Sequence, residues 1–246
     1  MATILRYDTL ASTQDVALER ARRGEPSGTV VIARSQTAGR GRLDRRWASP
    51  PGGLYASVIV DPPANGQALL SVAIGTVLSR RFESDYGVPT EIKWPNDLLV
   101  VRRGWPPRKL AGILVDGFDD GAGRRRYVVG IGVNVSTRRD DFPSELQGRA
   151  VSIAELVGSA PELGRVERSV IESVDEAWRT LDGGGSAALL ADLAERLYGR
   201  GRPVRLDGRP AGVLRAISAD GALVLESRGR TEEVRAGEIT VEEDGR

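Results

Sequence analysis

A β-branched apolar run passes directly into a loop rich in glycine and arginine in the stretch Thr29-Val30-Val31-Ile32-Ala33-Arg34-Ser35-Gln36-Thr37-Ala38-Gly39-Arg40-Gly41-Arg42. A short apolar run of this kind predicts a buried strand. The glycines of the loop let the backbone approach a ligand closely, and the two arginines present planar forks that match phosphate or carboxylate oxygens. The stretch therefore predicts an anion-binding loop at the end of a buried strand.

Taken alone, this loop leaves other interpretations open. It is not a P-loop, because no Lys-Ser or Lys-Thr follows the glycines, and its spacing is not that of a dinucleotide-binding fingerprint. A solvated loop or an RNA-contacting segment fits the same residues. Few apolar anchors lie in residues 40–47, so we expect this part of the loop to be mobile and to become ordered on ligand binding.

Strand and helix patterns surround this stretch. Ser12 precedes a helical pattern that Gly24 and Pro26 end. Further strands are predicted over residues 54–60, 91–93, 98–101, 110–115 and 125–135, and further helices over residues 67–86, 151–157, 166–181 and 187–197. The length of the chain and its mixture of patterns allow one large domain with a small partner.

The pattern changes beyond Gly199 to short strands separated by turns. Strands are predicted over residues 203–206, 211–217, 222–226, 231–234 and 238–241. Asp207-Gly208 and Asp220-Gly221 are strong hairpin signals. We therefore expect a first domain at residues 1–198 and a small β-barrel at residues 199–246, with Gly199-Arg200-Gly201-Arg202 as the linker.

Composition excludes several reaction classes. The 246 residues include 35 Lys plus Arg against 34 Asp plus Glu, and neither cysteine nor histidine. There is thus no disulfide, Cys/His zinc site, thiol nucleophile or Ser-His-Asp triad. The net charge of +1 argues against a protein that coats nucleic acid. The chemistry that remains uses Lys, Arg, carboxylates, hydroxyls, backbone amides and hard cations such as Mg²⁺.

The sequence shows no signal for export or membrane insertion. No apolar run approaches the ~18 residues that a spanning helix needs, and the first residues lack a charged segment followed by an apolar one. The absence of cysteine fits a reducing compartment. We expect a cytoplasmic protein that binds no membrane.

Lysine is rare enough to be informative. Among the 35 basic residues only Lys93 and Lys109 are lysines, so both positions suggest a need for a compact ammonium group. Lys93 opens the segment Lys93-Trp94-Pro95-Asn96-Asp97, although Asn and Asp after Pro are also ordinary turn residues. Lys109 enters an apolar strand beside Gly112, in Lys109-Leu110-Ala111-Gly112-Ile113.

In Gly130-Ile131-Gly132-Val133-Asn134, the two glycines alternate along the strand and leave one sheet face open for a flat group. Asn134 lies on that face.

In order and content, these segments together with Ser12-Thr13, Trp47 and Ser49-Pro50-Pro51-Gly52-Gly53-Leu54-Tyr55 resemble the biotin-protein ligase family. The resemblance spans most of the first ~200 residues. It implies an α+β fold with a mixed β-sheet flanked by helices, related to class II aminoacyl-tRNA synthetases, and a small C-terminal SH3-like β-barrel. It also implies two reactions: biotin and MgATP give biotinyl-5′-AMP, and the biotinyl group then passes to a lysine of a biotin carboxyl carrier domain of a carboxylase.

The resemblance also assigns roles to individual residues. It implies catalytic roles for Lys109, Arg40, Arg42 and Asp97, with Lys109 bridging the biotin carboxyl and the α-phosphate and Asp97 orienting the acceptor amine. It implies biotin binding by Ser12, Thr13, Gln14, Gln36, Arg40, Gly41, Arg42, Lys109 and Gly112. It implies ATP binding by Arg40, Arg42, Trp47, Lys93, Asn96, Lys109 and Asn134. It assigns no residue as a Mg²⁺ ligand.

Three positions depart from the family pattern. Gln14 stands where Asn is usual, Asp44 where the loop has a second glycine, and Asp116 where Glu is usual. We expect Gln14 to shift a biotin contact and Asp44 to weaken loop closure or ATP binding.

Some relatives carry an N-terminal DNA-binding domain. Because Ser12 lies near the start of this sequence, we expect a monofunctional ligase that binds no operator DNA. The resemblance leaves open whether the protein forms a homodimer.

Three alternatives remain at this point. A lipoate ligase-like enzyme uses the related fold, although the Gly-Arg-Gly-Arg loop favours biotin. A catalytically inactive biotin-binding module is a second alternative, with Asp44 as the sign of decay. An RNA-binding protein is disfavoured by the near-zero net charge and by the lack of interleaved aromatic residues.

Overall fold

The computed structural model describes residues 3–242, and its larger sheet has seven strands. These are β1 (Ile4–Leu10), β2 (Val30–Gln36), β3 (Gly53–Val60), β4 (Glu91–Lys93), β5 (Asp97–Val100), β6 (Arg108–Asp119) and β7 (Arg125–Asn134). Their order is β1-β2-β3-β7-β6-β5-β4. Only β1 and β2 pair in parallel within this sheet, so it is a mixed sheet as predicted.

Strand β1 was not predicted from the sequence. It lies at the edge of the sheet and pairs with β2 alone. Its residues are only partly buried or exposed, and Arg6 and Asp8 interrupt its apolar character. An edge strand of this kind lacks the apolar run on which the other strand predictions rested.

Helices cover both faces of the sheet. They are α1 (Thr13–Arg22), α2 (Leu70–Tyr86), α3 (Ile153–Val157), α4 (Leu163–Asp182) and α5 (Ser186–Arg196). Helix α1 packs on one face, while α2 packs on the other and is covered by α4 and α5. The predicted helix over 67–86 begins with a 3₁₀ turn, Gln67–Leu69.

Strand β3 lies at the centre of this arrangement and is buried along its whole length. Leu54, Ala56 and Val58 alternate into the core shared with α2, whereas Ile59 packs beneath α1. Because side chains alternate along a strand, Tyr55 and Ser57 face the α1 side with Ile59. Two residues with hydroxyl groups are thus held on the face where the start of α1 lies.

The C-terminal sheet has five antiparallel strands. They are β8 (Pro203–Leu206), β9 (Arg209–Ile217), β10 (Leu223–Ser227), β11 (Arg230–Val234) and β12 (Ile239–Val241), in the order β11-β10-β9-β8-β12. The predicted turn at Asp207-Gly208 joins β8 to β9, with both residues at positive φ. This small all-β unit is the one predicted from the short strands beyond Gly199.

The two sheets share one hydrophobic core. Leu214, Leu225 and Ile239 belong to the same cluster of buried side chains as the core over α2. Trp94, in the turn after β4, is buried, and its indole Nε1 donates to the main-chain oxygen of Gly221 over 3.1 Å. The turn that precedes β5 is therefore fixed against the C-terminal sheet. No helix within residues 3–242 is long and apolar enough to cross a membrane.

We expect Trp94→Phe to destabilise the fold by about 1–3 kcal/mol, because the partly buried carbonyl of Gly221 loses the donor that the buried indole supplies. Trp178→Phe is the matched control, since the indole of Trp178 donates to Asp61 O over 2.8 Å at a more exposed position. Urea unfolding followed by circular dichroism measures both variants. An equal loss of unfolding free energy in the two variants would contradict a larger contribution from the hydrogen bond of Trp94.

Candidate active site

One cavity of about 140 Å³ lies where the loop after β2, the start of α1, the turn before β5 and the glycine positions of β6 and β7 meet. Among the sequence-predicted residues, those lining it are Ser12, Thr13, Gln14, Gln36, Arg40, Gly41, Arg42, Trp47, Lys93, Asn96, Asp97, Lys109 and Gly112. Segments as distant in the chain as residues 12 and 112 are therefore brought together in one place.

Hydrogen bonds organise the α1 end of the cavity. The main-chain N and the Oγ1 of Thr13 both donate to Gln36 Oε1, over 2.7 and 3.1 Å. Gln36 Nε2 donates to Ser49 Oγ over 2.8 Å, which fixes the carboxamide orientation. Ser12 caps α1 through its Oγ, so its hydroxyl proton remains to be donated. This end presents neutral donors and acceptors rather than charges.

The side-chain amide of Gln14 is hydrogen-bonded to other residues of the protein. Its Nε2 donates to Val128 O over 3.0 Å, and its Oε1 accepts from Ser57 Oγ, also over 3.0 Å. A Cβ on Gly130 would lie 2.5 Å from that Oε1, so the longer amide side chain fills the space that the glycine leaves. Gln14 therefore closes the end of the cavity, and its predicted biotin contact stays a prediction.

Sequence analysis missed Ser57. It is fully buried, and its hydroxyl also lies 2.9 Å from Thr13 Oγ1. Ser57 thus links Gln14 to the hydrogen-bonded pair of Thr13 and Gln36. The signal in the sequence was a lone serine within the apolar run of β3. Tyr55, two residues earlier, also lines the cavity, and burial raises the pKa of its phenol well above the ordinary range.

The loop after β2 forms a tight hairpin. Gly41 N donates to Arg45 O over 2.8 Å and Trp47 N donates to Gly39 O over 3.0 Å. Leu43 and Asp44 at its tip have φ of 53° and 57°, the left-handed region that glycine favours. Asp is among the residues that tolerate this conformation, so Asp44 occupies the glycine position with its turn intact. Whether the loop is mobile without ligand stays a prediction.

Two carboxylates converge on Arg40. Its Nη1 lies 2.9 Å from Asp15 Oδ1 in the first turn of α1 and 3.1 Å from Asp116 Oδ2 on β6. The sequence singled out Asp116 only as a departure from the family pattern. In the structure, Asp116 and Asp15 hold the guanidinium between two different elements.

A carboxylate from the C-terminal sheet also reaches the cavity. Glu238 lines it, pairs with both terminal nitrogens of Arg45, and lies 3.9 Å from Lys93 Nζ. Hydrogen bonding from Arg45 holds the pKa of the Glu238 carboxyl below its usual value. Because Glu238 is far from the loop in the chain, no spacing in the sequence indicated the contact.

Lys109 and Asp97 form the central ion pair of the cavity. Lys109 Nζ lies 2.7 Å from Asp97 Oδ1 and 4.8 Å from the ring centroid of Trp47. The turn that carries Asp97 is fixed to β6, since Asn96 Nδ2 donates to Ile113 O and Ile113 N donates to Asn96 O. Arg42 Nη1 lies 3.4 Å from Asn96 Oδ1.

The glycines of β6 and β7 form the predicted floor. A Cβ on Gly132 would lie 2.5 Å from Trp47 Cε2, and one on Gly112 would lie 2.7 Å from Trp47 Cζ3. The flat indole of Trp47 rests on this floor, and its Nε1 is buried with no hydrogen-bond partner among the residues that the structure describes.

Asn134 is placed differently from the other predicted residues. It is buried, does not line the cavity, and its Nδ2 donates to the main-chain oxygens of Lys109 and Val151, each over 3.2 Å. It therefore supports the backbone beside Lys109. Its predicted contact with adenine stays a prediction.

The cavity divides into a neutral end and a cationic end. Ser12, Thr13 and Gln36 offer hydrogen bonds to an uncharged polar group, whereas Arg40, Arg42 and Lys109 suit an anion. Residues 3–242 contain no group of three or more acidic side chains positioned to hold a metal ion. Mg²⁺ is commonly bound by one or two carboxylates together with the phosphates of its substrate.

The sequence model of the Biotin/lipoate A/B protein ligase family matches residues 7–134. A biotin--[acetyl-CoA-carboxylase] ligase of Mycobacterium tuberculosis is 33% identical over 243 residues, covering 93% of this chain and 85% of that protein. The bifunctional ligase/repressor BirA of Bacillus subtilis is 30% identical, covering 96% and 73%. A biotin protein ligase from Aquifex aeolicus, solved in complex with biotin and ATP, superposes with a TM-score of 0.83 at 26% identity, covering 99% and 100%.

Asp116→Asn should leave Arg40 with Asp15 as its remaining carboxylate partner and loosen the loop. An ion pair of this partly exposed kind contributes about 1 kcal/mol, so we expect roughly fivefold faster tryptic cleavage within residues 40–47. Asp116→Glu should restore protection, because it keeps the charge. Asp119→Asn, at the exposed end of β6, is the matched control. Equal cleavage of Asp116→Asn and wild type would show that Arg40 is not held by Asp116.

The contact between Glu238 and Arg45 should give a pH-dependent contribution to stability. A carboxyl whose folded pKa is lowered stabilises the fold above its unfolded pKa, and that contribution is lost as pH falls through the folded value. The stability difference between wild type and Glu238→Gln should therefore be constant above about pH 5 and shrink below about pH 4. Urea unfolding at a series of pH values measures it, and a difference that grows on acidification would contradict the assignment.

Proposed function

Because the chain belongs to the biotin/lipoate A/B protein ligase family, we propose that it is a biotin protein ligase. It activates biotin with ATP and transfers the biotinyl group to a lysine of a protein. The observation that carries this proposal is the division of one cavity into a neutral hydrogen-bonding end and a cationic end. Biotin has the matching division, with an uncharged cyclic urea at one end and a carboxylate at the other.

At the neutral end, Ser12, Thr13 and Gln36 bind the urea. Gln36 keeps one amide N–H, and Ser12 keeps its hydroxyl proton, so both donate to the urea oxygen. Thr13 Oγ1 already donates to Gln36 Oε1, so its remaining lone pairs accept a urea N–H. Gln14 and Ser57 close this end and keep the three groups in position.

At the cationic end, Lys109, Arg40 and Arg42 neutralise charge during the first reaction. A biotin carboxylate oxygen attacks the α-phosphorus of ATP, a new O–P bond forms, and pyrophosphate leaves with the electron pair of the broken bond. Both reacting groups are anionic, so bringing them together requires fixed cations more than a proton transfer. The compact ammonium of Lys109 lies between the two anions. Gly41 and Gly112 leave room for the ligand.

The second reaction forms the amide bond. The acceptor lysine amine attacks the carbonyl of biotinyl-5′-AMP, the C–O bond to phosphate breaks, and AMP leaves. The attacking amine has to be neutral, and its proton has to go to a base. We assign Asp97 to orient this amine and to accept the proton, because its carboxylate lies beside Lys109 at the place where the anhydride forms.

ATP is assigned to the side of the cavity that holds Lys93 and Asn96, with Arg40, Arg42 and Lys109 on its phosphates. Trp47 and Asn134 are assigned to the adenine. Mg²⁺ enters with ATP as MgATP, held chiefly by the phosphates and by water.

The remaining assignments concern the whole protein. Residues 1–198 bind biotin and ATP, while residues 199–246 form a second domain that contributes Glu238 to the rim. The acceptor is a biotin carboxyl carrier domain of a carboxylase. The consumption of ATP favours the cytoplasm as the location. Whether the protein forms a homodimer stays open, and the lack of operator binding stays a prediction. A lipoate ligase-like activity and an inactive biotin-binding module are the alternatives that the next experiment separates.

Lys109→Arg should abolish adenylate formation although it keeps the positive charge. The bulkier, planar guanidinium cannot take the place of an ammonium beside Asp97 and Trp47, so we expect a loss of about 100-fold or more. The measurement is biotin-dependent exchange of labelled pyrophosphate into ATP with Mg²⁺. Lys93→Arg is the matched control, with an expected loss of less than about tenfold, since Lys93 lies at the rim.

Three results would count against this assignment. Exchange that lipoate supports better than biotin would favour the lipoate ligase-like alternative. Biotin binding without any exchange by the wild type would identify an inactive binding module. Full exchange by Lys109→Arg would remove Lys109 from the reaction.

A further inference from the structure

An exposed patch at the end of the β5–β6 hairpin has no role in the chemistry described above. Among residues 3–242, five large hydrophobic side chains are exposed: Leu43, Val101, Trp105, Val157 and Leu163. Two of them, Val101 and Trp105, lie in the single loop between β5 and β6. The patch consists of Val101, Arg102, Arg103, Trp105, Arg108 and Val157, and we call it the arginine–tryptophan patch.

Trp105 is held in a defined position. The guanidinium carbons of Arg102 and Arg108 lie 5.5 and 4.4 Å from its ring centroid. Arg108 is fixed in turn, because its Nη1 donates to Glu155 Oε1 over 3.0 Å. Glu155 belongs to α3, whose last residue, Val157, is 41% exposed. The aromatic ring therefore has little conformational freedom left to lose on binding a partner.

The patch carries unneutralised positive charge. Arg102 and Arg103 have no carboxylate at ion-pair distance in the part of the chain that the structure describes, and Glu155 is the acidic residue that pairs with Arg108. Exposed tryptophan beside arginine is the composition typical of residues that dominate protein–protein binding. Such a surface fits a partner that is acidic and offers some apolar area.

The position of the patch relates it to the second reaction. The hairpin that carries the patch begins at Asp97 and returns through Lys109. Val101 lies four positions after Asp97, which is about 13 Å of extended chain. Across the hairpin, Leu99 pairs with Lys109 and Val100 pairs with Arg108, so the hairpin end lies next to the lysine that lines the cavity. We therefore expect an acceptor domain that places its lysine in the cavity to contact the hairpin end.

Resting on the proposed function, we propose that the arginine–tryptophan patch is a docking surface for an acidic face of the protein acceptor. It contributes to acceptor affinity and leaves adenylate formation unaffected. Charge complementarity sets the orientation of the acceptor, and Trp105 supplies the apolar anchor.

The test compares the two reactions in the same variants, using a recombinant unbiotinylated biotin carboxyl carrier domain as the acceptor. Trp105→Ala should raise KM for the carrier about tenfold, while pyrophosphate exchange stays within about twofold of wild type. Arg103→Glu should raise the same KM and reduce its dependence on salt. Trp105→Phe, which keeps an aromatic ring, should recover most of the affinity. Arg168→Glu, an exposed arginine on α4, is the matched control and should change neither quantity.

Other outcomes would overturn the inference. An unchanged carrier KM in Trp105→Ala and Arg103→Glu, with exchange intact, rejects the docking surface while the proposed function stands. Absence of exchange in the wild type rejects the proposed function itself. A change in sedimentation with an unchanged KM would assign the patch to a second copy of this chain. Loss of binding to RNA with an unchanged KM would assign it to nucleic acid.

Discussion

Several cations line one small cavity, and the elements around the cavity supply the carboxylates that reduce the repulsion between these cations. Like charges a few ångström apart repel by up to about 4 kcal/mol at an effective dielectric constant near 20. Most of the cations that line the cavity are therefore paired with a carboxylate. Asp15 from α1 and Asp116 from β6 hold Arg40, and Asp97 at the start of β5 holds Lys109. Because these carboxylates come from separate elements, the charge arrangement exists only when the whole sheet has formed.

The neutral end of the cavity obeys a different constraint. Its groups are buried and uncharged, so each donor and acceptor needs a partner with good geometry. The contacts among Thr13, Gln36, Ser49 and Ser57 satisfy this requirement and leave a defined pattern facing the ligand. The separation of charged and neutral groups along one cavity lets a single molecule with a polar head and an anionic tail bind in one direction.

The sequence predicted more of the fold than of the interactions within the site. Apolar runs located the inner strands of the larger sheet, and the edge strand β4 was predicted after Pro89, whereas the edge strand β1 was missed because it has no apolar run. Motifs located most of the residues that line the cavity, because glycine, lysine and arginine in those patterns serve few structural purposes. The partners of these residues were not predictable, since Glu238 and Ser57 reach the cavity through tertiary contacts that no spacing records. The sequence showed that Gln14 and Asp116 depart from the family pattern. Their contacts with Val128, Ser57 and Arg40 became evident only from the structure.

The loop after β2 is held by different contacts at its base and at its tip. At its base, Trp47 N donates to Gly39 O, and the main-chain oxygen of Trp47 accepts from Ser49 Oγ over 3.1 Å. Ser49 Oγ also accepts from Gln36 Nε2, so Gln36 is connected through Ser49 to the backbone that carries the indole. At its tip, Leu43 and Asp44 have positive φ, a conformation that is costly for residues other than glycine. Movement of the loop is therefore expected at the tip, where the ion pair of Arg45 with Glu238 opposes it. The hydrogen bonds at the base hold the indole of Trp47 in place on the glycine floor.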